Sequence, residues 1–478
     1  MVSLFVLLPA PRLQALDLDF LPSFSADYFD AGNWTPSQVP TFSDDAYVRN
    51  SGTPQAWSGG TVQVNSLTVG DVLADGDGNF DSRVNVEVVD NLIVGGMADS
   101  QEVTSTVSAV GNFFLNQTDL LEVQSGLLEH DFQVGVANVS NGSSGAAAGR
   151  ATINNVTTVS LGNDVRVGAT RNWGGNTATT GVYGGVDWGR IEDLSVAGNL
   201  DFSRTDLRGQ NAPATSGVSS EVDINRITSF TVGGNVGFVT NYLETTSASP
   251  YRLSHSASSV AATGGFSGIT DIENFEIAGN LEVATADILF DEGADQVISS
   301  FKAALEFIRI PSMSVGGDFN LHHLRGTVED SPFEFQQVLS NASNAANFSQ
   351  VALNVEGAAR VGVVDLASAS SAPQGFSRFE VATQLYLEFS SMTTGSTMTV
   401  GTIEGSANLP STLARGFLPM VGSSLSTPEL RLGLIDNPGV GGVADAEVLL
   451  FPSLIETDSL VQGAGGQIRF VLNGLERI

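Results

Sequence analysis

The chain has no cysteine, a single lysine (Lys302) and only four histidines. Without thiols it forms neither disulfides nor thiolate metal sites. His130, His255, His322 and His323 show no His-x-His or His-Glu-x-x-His spacing, and the adjacent pair points to opposite faces if it lies on a strand, so no zinc centre is expected. Positive charge is scarce, with 20 basic residues against 52 acidic ones and a formal net charge of −32. Such a surface repels nucleic acid, whose binding depends on neutralising phosphates with Lys and Arg. It favours cations and keeps a long repetitive chain soluble through self-repulsion. Beyond the N-terminus no apolar run approaches the ~20 residues needed to span a membrane. Charged residues make up only 15% of the chain and hydrophobic residues 42%, a mix too apolar for disorder.

What the sequence does contain is a repeat. Ile191 to Phe202, Ile227 to Phe238, Ile272 to Val283 and Ile310 to Leu321 all fit one template, Ile-x-x-apolar-x-β-branched-small-Gly-(Asn/Asp)-apolar-x-apolar. Their glycines, Gly198, Gly234, Gly279 and Gly317, lie 36, 45 and 38 residues apart. Weaker copies extend the array at Val107–Leu115, Val159–Val167 and Leu353–Val361, with degenerate ones at Leu67–Gly70 and Leu92–Gly96. Within a copy the apolar residues alternate, as Leu194, Val196, then Leu200, Phe202, which marks strands with one buried face. The Gly-Asn pair falls where the chain turns between two such strands, and both residue types tolerate the left-handed conformation that a tight corner can demand.

A strand, a corner and a second strand at a fixed place in each repeat is what one coil of a solenoid needs. The expected fold is therefore all-β, a right-handed parallel β-helix with variable loops and terminal caps. Stretches rich in Ser, Ala, Gly and Thr, at 211–220, 245–265, 341–347 and 367–375, read as loops of differing length thrown out from a constant core. Residues 295–308 carry Val297, Phe301, Ala304 and Leu305 at helical spacing, which predicts a short helix or irregular insertion there. The organisation expected is a signal peptide over 1–15, an N-terminal cap over 16–60, solenoid repeats over 61–405 and C-terminal coils or a cap over 406–478. The signal peptide rests on the apolar run Val2–Leu8, followed by Pro9, Arg12 and Ala15, although no basic residue precedes it.

Asn33-Trp34-Thr35-Pro36, Val39-Pro40 and Asp44-Asp45-Ala46-Tyr47-Val48 lead into Gly60–Gly70. This opening resembles that of bacterial secreted β-helix surface proteins, including autotransporter passengers and extracellular repeat proteins with sorting tails. The likeness covers about residues 28–70, and the later repeats only in style. It implies export and a parallel β-helix, and it brings no catalytic residues.

The sharpest local motif is Asp75-Gly-Asp77-Gly-Asn79-Phe-Asp81. Oxygen ligands at alternate positions of a Gly-bearing loop suit calcium, the one cofactor expected, with Asp75, Asp77, Asn79 and Asp81 as its ligands. The motif departs from the EF-hand pattern at Phe80 and Val86, and an Asp/Gly-rich turn between strands explains it equally well. Asp187, Asp193, Asp201 and Asp206 sit near Arg190, Arg204 and Arg208, the raw material of a polysaccharide lyase or hydrolase site. In a chain with 52 carboxylates such neighbours also arise on an ordinary solvated face. The function expected is that of a secreted structural or adhesive protein without turnover, the alternative being a carbohydrate-active enzyme on the same scaffold. The expected partners are surface or matrix components, polysaccharide among them, and further copies of the chain.

Overall fold

In a computed structural model the protein is described from residue 16 to residue 477, apart from connecting segments, the longest being 98–106, 259–267, 336–346, 369–378, 401–414 and 433–444; side chains are described mainly up to residue 321. The chain winds as a parallel β-solenoid. Two 14-stranded sheets run along it, and every strand pair in them is parallel except the first, where Leu16–Phe20 meets Trp34–Thr35 antiparallel. From Phe379 onward the strands join two five-stranded sheets, parallel up to a final hairpin at Leu472–Leu475.

The repeat template sets the register. Leu161, Val196, Val232, Ile277, Val315 and Val355 pair in one column through successive coils. The first five are at most 2% exposed. Aromatic side chains stack on their register partners, Phe202 on Phe238 at 4.9 Å and Phe230 on Phe275 at 4.5 Å. At the base, Trp34 closes the core: its ring packs edge-on against Phe20 and Tyr28, and its indole N–H donates to the Tyr28 carbonyl at 2.8 Å. The Trp of the opening segment is thus a buried plug, 1% exposed.

The corners are built differently from the expectation. Gly198, Gly234, Gly279 and Gly317 stack at equivalent bends, but none has positive φ. What they leave room for is a ladder of Asx side chains. The Asn199 backbone N–H donates to Asp164 Oδ1, Asn235 to Asn199, Asn280 to Asn235 and Asp318 to Asn280, all at 2.7–2.8 Å. A Cβ on Gly234 would lie 2.6 Å from Asn199 Oδ1, so the glycine makes way for the asparagine of the coil before it.

Left-handed backbone occurs instead in two other columns. Gln117, Asn155, Arg190, Arg226, Asp271 and Arg309 form the first, with φ of +55° to +58°. Gly70, Gly95, Gly135, Gly168, Ser203, Val239 and Ala284 form the second, with φ of +53° to +73°. At this second column the two sheets pinch together. Gly95 faces Gly111, Gly135 faces Gly149 and Gly168 faces Gly184, so closely that a Cβ on any of the three would run into opposing backbone. One coil later Ser203 and Ser220 occupy the same places, 2.8 Å apart between hydroxyls. The pinch separates the main core from a smaller one formed by Val72, Met97, Ala109, Ala137, Ala147, Val182 and Val218. The cross-section is therefore a broad lobe joined by a neck to a thin two-layered wing.

Three readings of the sequence change accordingly. Thr215–Ser220 and Arg252–Ser258, expected in loops, are strands of the wing. Gln296–Ala304 is a strand, not a helix, and pairs with Arg252–Ser258 in the second sheet. Gly111-Asn112 is not a repeat corner but a neck position, and Leu67–Gly70 and Leu92–Gly96 are second strands ending on the neck, equivalent to Leu200–Ser203.

Candidate functional site

The left-handed neck column turns the first sheet inward, so its outer face is concave there. Outward residues just before and after the bend line a trough parallel to the solenoid axis. One part of it lies across the strands Leu200–Gly209, Val236–Thr245 and Leu281–Phe290, with a cavity of about 330 Å³. Gly237 stands between the register positions of Asp201 and Glu282, and the Thr240 methyl and Asp201 Oδ1 fill the space beside it, 2.7 and 2.8 Å from where a Cβ would lie. Asp201 and Asp206 are 4% and 3% exposed. Arg204 bridges to Asp201 at 2.7 Å, and that carboxylate, against an opposing cost of burial, holds the guanidinium more firmly protonated than usual. Tyr242 donates its hydroxyl to Glu244 at 3.2 Å, and Thr285 to Glu282 at 3.3 Å.

Two polar atoms nearby are buried without a partner among the described residues: the Thr240 hydroxyl, and the side-chain carbonyl of Asn241, which lies in the inward column of the wing with Ala137, Thr170 and Thr205. The Asn241 amide is engaged, with the carbonyls of Val239 and Thr285 at 3.4 and 3.3 Å. Nearer the base the same outer face has a second hollow, around Tyr47, Thr68 and Arg49. Arg49 is fixed by Asp19 at 2.7 Å and Asp71 at 2.9 Å, with its guanidinium 4.4 Å from the Tyr47 ring centre.

A separate cluster lies on the second sheet. Tyr183 donates to Glu221, Arg150 lies 3.8 Å from the other oxygen of Glu221, and Asn225 donates to Asp223 at 2.8 Å. Asp187 and Asp223 are register neighbours. Burial, with Asp187 and Glu221 nearby, raises the Asp223 pKa against the opposing Asn225 hydrogen bond; burial and Glu221 push the Tyr183 hydroxyl up to about 12.

The acids expected to form one site are thus divided. Asp201 and Asp206 line the trough, Asp187 belongs to the second-sheet cluster, and Asp193 is exposed after the Arg190 bend. Of the calcium motif, Asp75 lies outside the described residues. Asp77, Asn79 and Asp81 follow alternate positions along the start of Gly78–Ser82, where neighbours sit about 6.6 Å apart. Their oxygens accept from the Val110 backbone, the Asn112 amide and the Trp57 indole, at 2.8, 2.9 and 3.0 Å. Among the described residues no group of three or more His, Asp or Glu side chains is placed to hold a metal. His255 falls on the strand Arg252–Ser258, and the other three histidines lie outside the described residues. The trough was not read from the sequence; its only signal there is the small or polar residue that follows Gly168 and its equivalents. No protein-family model, curated protein or solved structure matches the chain.

Proposed function

We propose that the protein is an exported structural or adhesive solenoid, a rod that displays its connecting segments and outer faces to surface or matrix components and carries out no turnover. The observation that supports this most is the continuous pairing of the Leu161–Val355 column, kept while the spacing between repeats varies from 35 to 45 residues. A constant core with variable connections lets length and displayed surface change without disturbing the fold. The ionic side chains reinforce it, since Arg49–Asp71, Arg309–Asp271 and Tyr183–Glu221 join neighbouring coils. The likeness of residues 28–70 to bacterial secreted β-helix proteins supports export, as does the apolar N-terminal run. Among the described residues no helix is long and apolar enough to cross a membrane.

The trough and its carboxylates favour a second reading, a carbohydrate-active enzyme. Incubating the purified protein with neutral and acidic polysaccharides, and measuring reducing ends and unsaturated products, separates the two. No product is expected. Sustained release of either product would replace the first reading with the second.

A further inference from the structure

We infer that a second copy of this chain docks on the outer face of the second sheet, across its first five strands. These are Gln55–Ala56, Gly78–Ser82 and the beginnings of Val107–Val123, Ser144–Leu161 and Thr179–Val196, paired in that order. Trp57, Val110 and Phe114 stand out from this face, 47%, 46% and 40% exposed. Register sets Phe114 beside Asp81, and Val110, Ala148 and Tyr183 in one column. Trp57 is exposed and yet fixed. Its indole N–H donates to Asp81 Oδ2 at 3.0 Å, and the Arg83 guanidinium lies 4.7 Å from its ring centre. The Arg150 stem likewise lies against the Tyr183 ring, in the space that Gly185 leaves open. Side chains already held in place lose little freedom on association, and Trp, Tyr and Arg dominate the energetics of protein–protein contacts.

Charge says which partner fits. As far as the left-handed column at Gln117 and Asn155, the first four strands present Asp77 and Asp81 against Arg83 and Arg150, a neutral patch on a chain of net charge −32. Other outer surfaces are acidic: Asp201, Asp206, Glu282 and Asp287 border the trough, and Glu87 and Glu122 stand in register. Two copies repel each other least where each is neutral, so they meet face to face, with the same patch on both. Ten residues of strand by five strands is about 33 Å by 24 Å, or about 800 Å², one partner's share of a standard interface. This goes beyond the structural reading, and because association says nothing about turnover either can fail alone.

The test is sedimentation velocity of the full chain over a range of protein and salt concentrations. A dimer is expected, and added salt should strengthen it, because screening relieves repulsion between two acidic bodies while the contact itself is neutral. Phe114→Asp should weaken association about tenfold or more and leave the melting temperature of the dilute protein unchanged, since the ring lies outside the core. Val110→Asp, on the same face, should act in the same direction. Leu289→Asp changes an apolar side chain of similar exposure, 41%, on the other sheet, and should leave the dimer intact. A monomer at every concentration overturns the proposal, as does a dimer that neither Phe114→Asp nor Val110→Asp weakens, or one that Leu289→Asp weakens as much. Weakening by salt would also overturn it, by making the contact ionic. A monomer retained on a polysaccharide matrix through Phe114 would assign the face to a sugar instead.

Discussion

At the scale of single residues the repeat glycines matter for the room they leave. Gly279 sits beside Asn235 Oδ1 and the Gly234 carbonyl, with φ outside the left-handed region. Gly279→Ala should therefore lower stability by about 1–3 kcal/mol through overpacking. Gly279→Asn should do no better, although Asn would rescue a position that needed positive φ. Denaturant melts of the two variants distinguish the causes, and a clear advantage for Asn would restore the conformational explanation. The same reasoning shows what was hidden in the sequence. Gly-Asn advertises a corner, but nothing in one copy says that each asparagine bonds the next coil. Arg190, Arg226 and Arg309, which do hold positive φ, are residue types that give no such signal. Titration adds a test at this scale. Tyr47 and Tyr183 are each raised to about 12, chiefly by burial. The folded chain keeps these protons after the unfolded chain releases them near pH 10, so their contribution is intact below pH 10 and is lost as pH rises through 12. Melting temperature should fall across that interval, and Tyr183→Phe should flatten the fall; an unchanged slope would show that the Tyr183–Glu221 pair is not coupled to folding.

The decisive element is the neck. Where Gly149 meets Gly135 and the Val94 carbonyl, any side chain forces the sheets apart. Gly149→Ala should cost about 3 kcal/mol, whereas Ser203→Gly with Ser220→Gly reproduces the coil below and should cost about 1 kcal/mol or less. Equal losses for the two, measured by urea unfolding, would contradict a pinched cross-section. The neck also explains why loops and strands were confused in the sequence. Thr215–Ser220 looks like part of a low-complexity linker, yet the wing is thin, and small residues such as Ala109, Ala137 and Ala147 fill the space between its layers beside Val72, Met97, Val182 and Val218. Gln296–Ala304 shows a different limit: its apolar residues at helical spacing sit in a strand held on both sides by parallel neighbours, and pairing overrides the local pattern. The trough is the outer consequence of the same bend, so it could not be read before the neck was seen.

For the whole molecule, a net charge of −32 on stacked parallel coils places like charges on neighbouring strands. Added salt should raise the melting temperature, with calcium and magnesium equivalent at matched concentration if screening is the cause. A gain specific to calcium and reversed by chelator would instead assign a site to the Asp75–Asp81 motif. The architecture itself was legible because four template copies share one alternation and one corner, and that alternation survives as the Val196–Val232–Ile277–Val315 column. The central claim is this coil-to-coil register, and the absence of cysteine makes it directly measurable. Thr231 and Glu276 are register partners on the outer surface, with Cα atoms expected about 4.8 Å apart, inside the range a disulfide accepts. Thr231 and Asn274, two residues out of register, are separated by about 8 Å. Under mild oxidation, intact-mass analysis should show the Thr231→Cys/Glu276→Cys protein closing its disulfide with no loss of melting temperature, while the Thr231→Cys/Asn274→Cys protein stays reduced. Closure of the offset pair in preference to the aligned one would contradict the register on which the account depends.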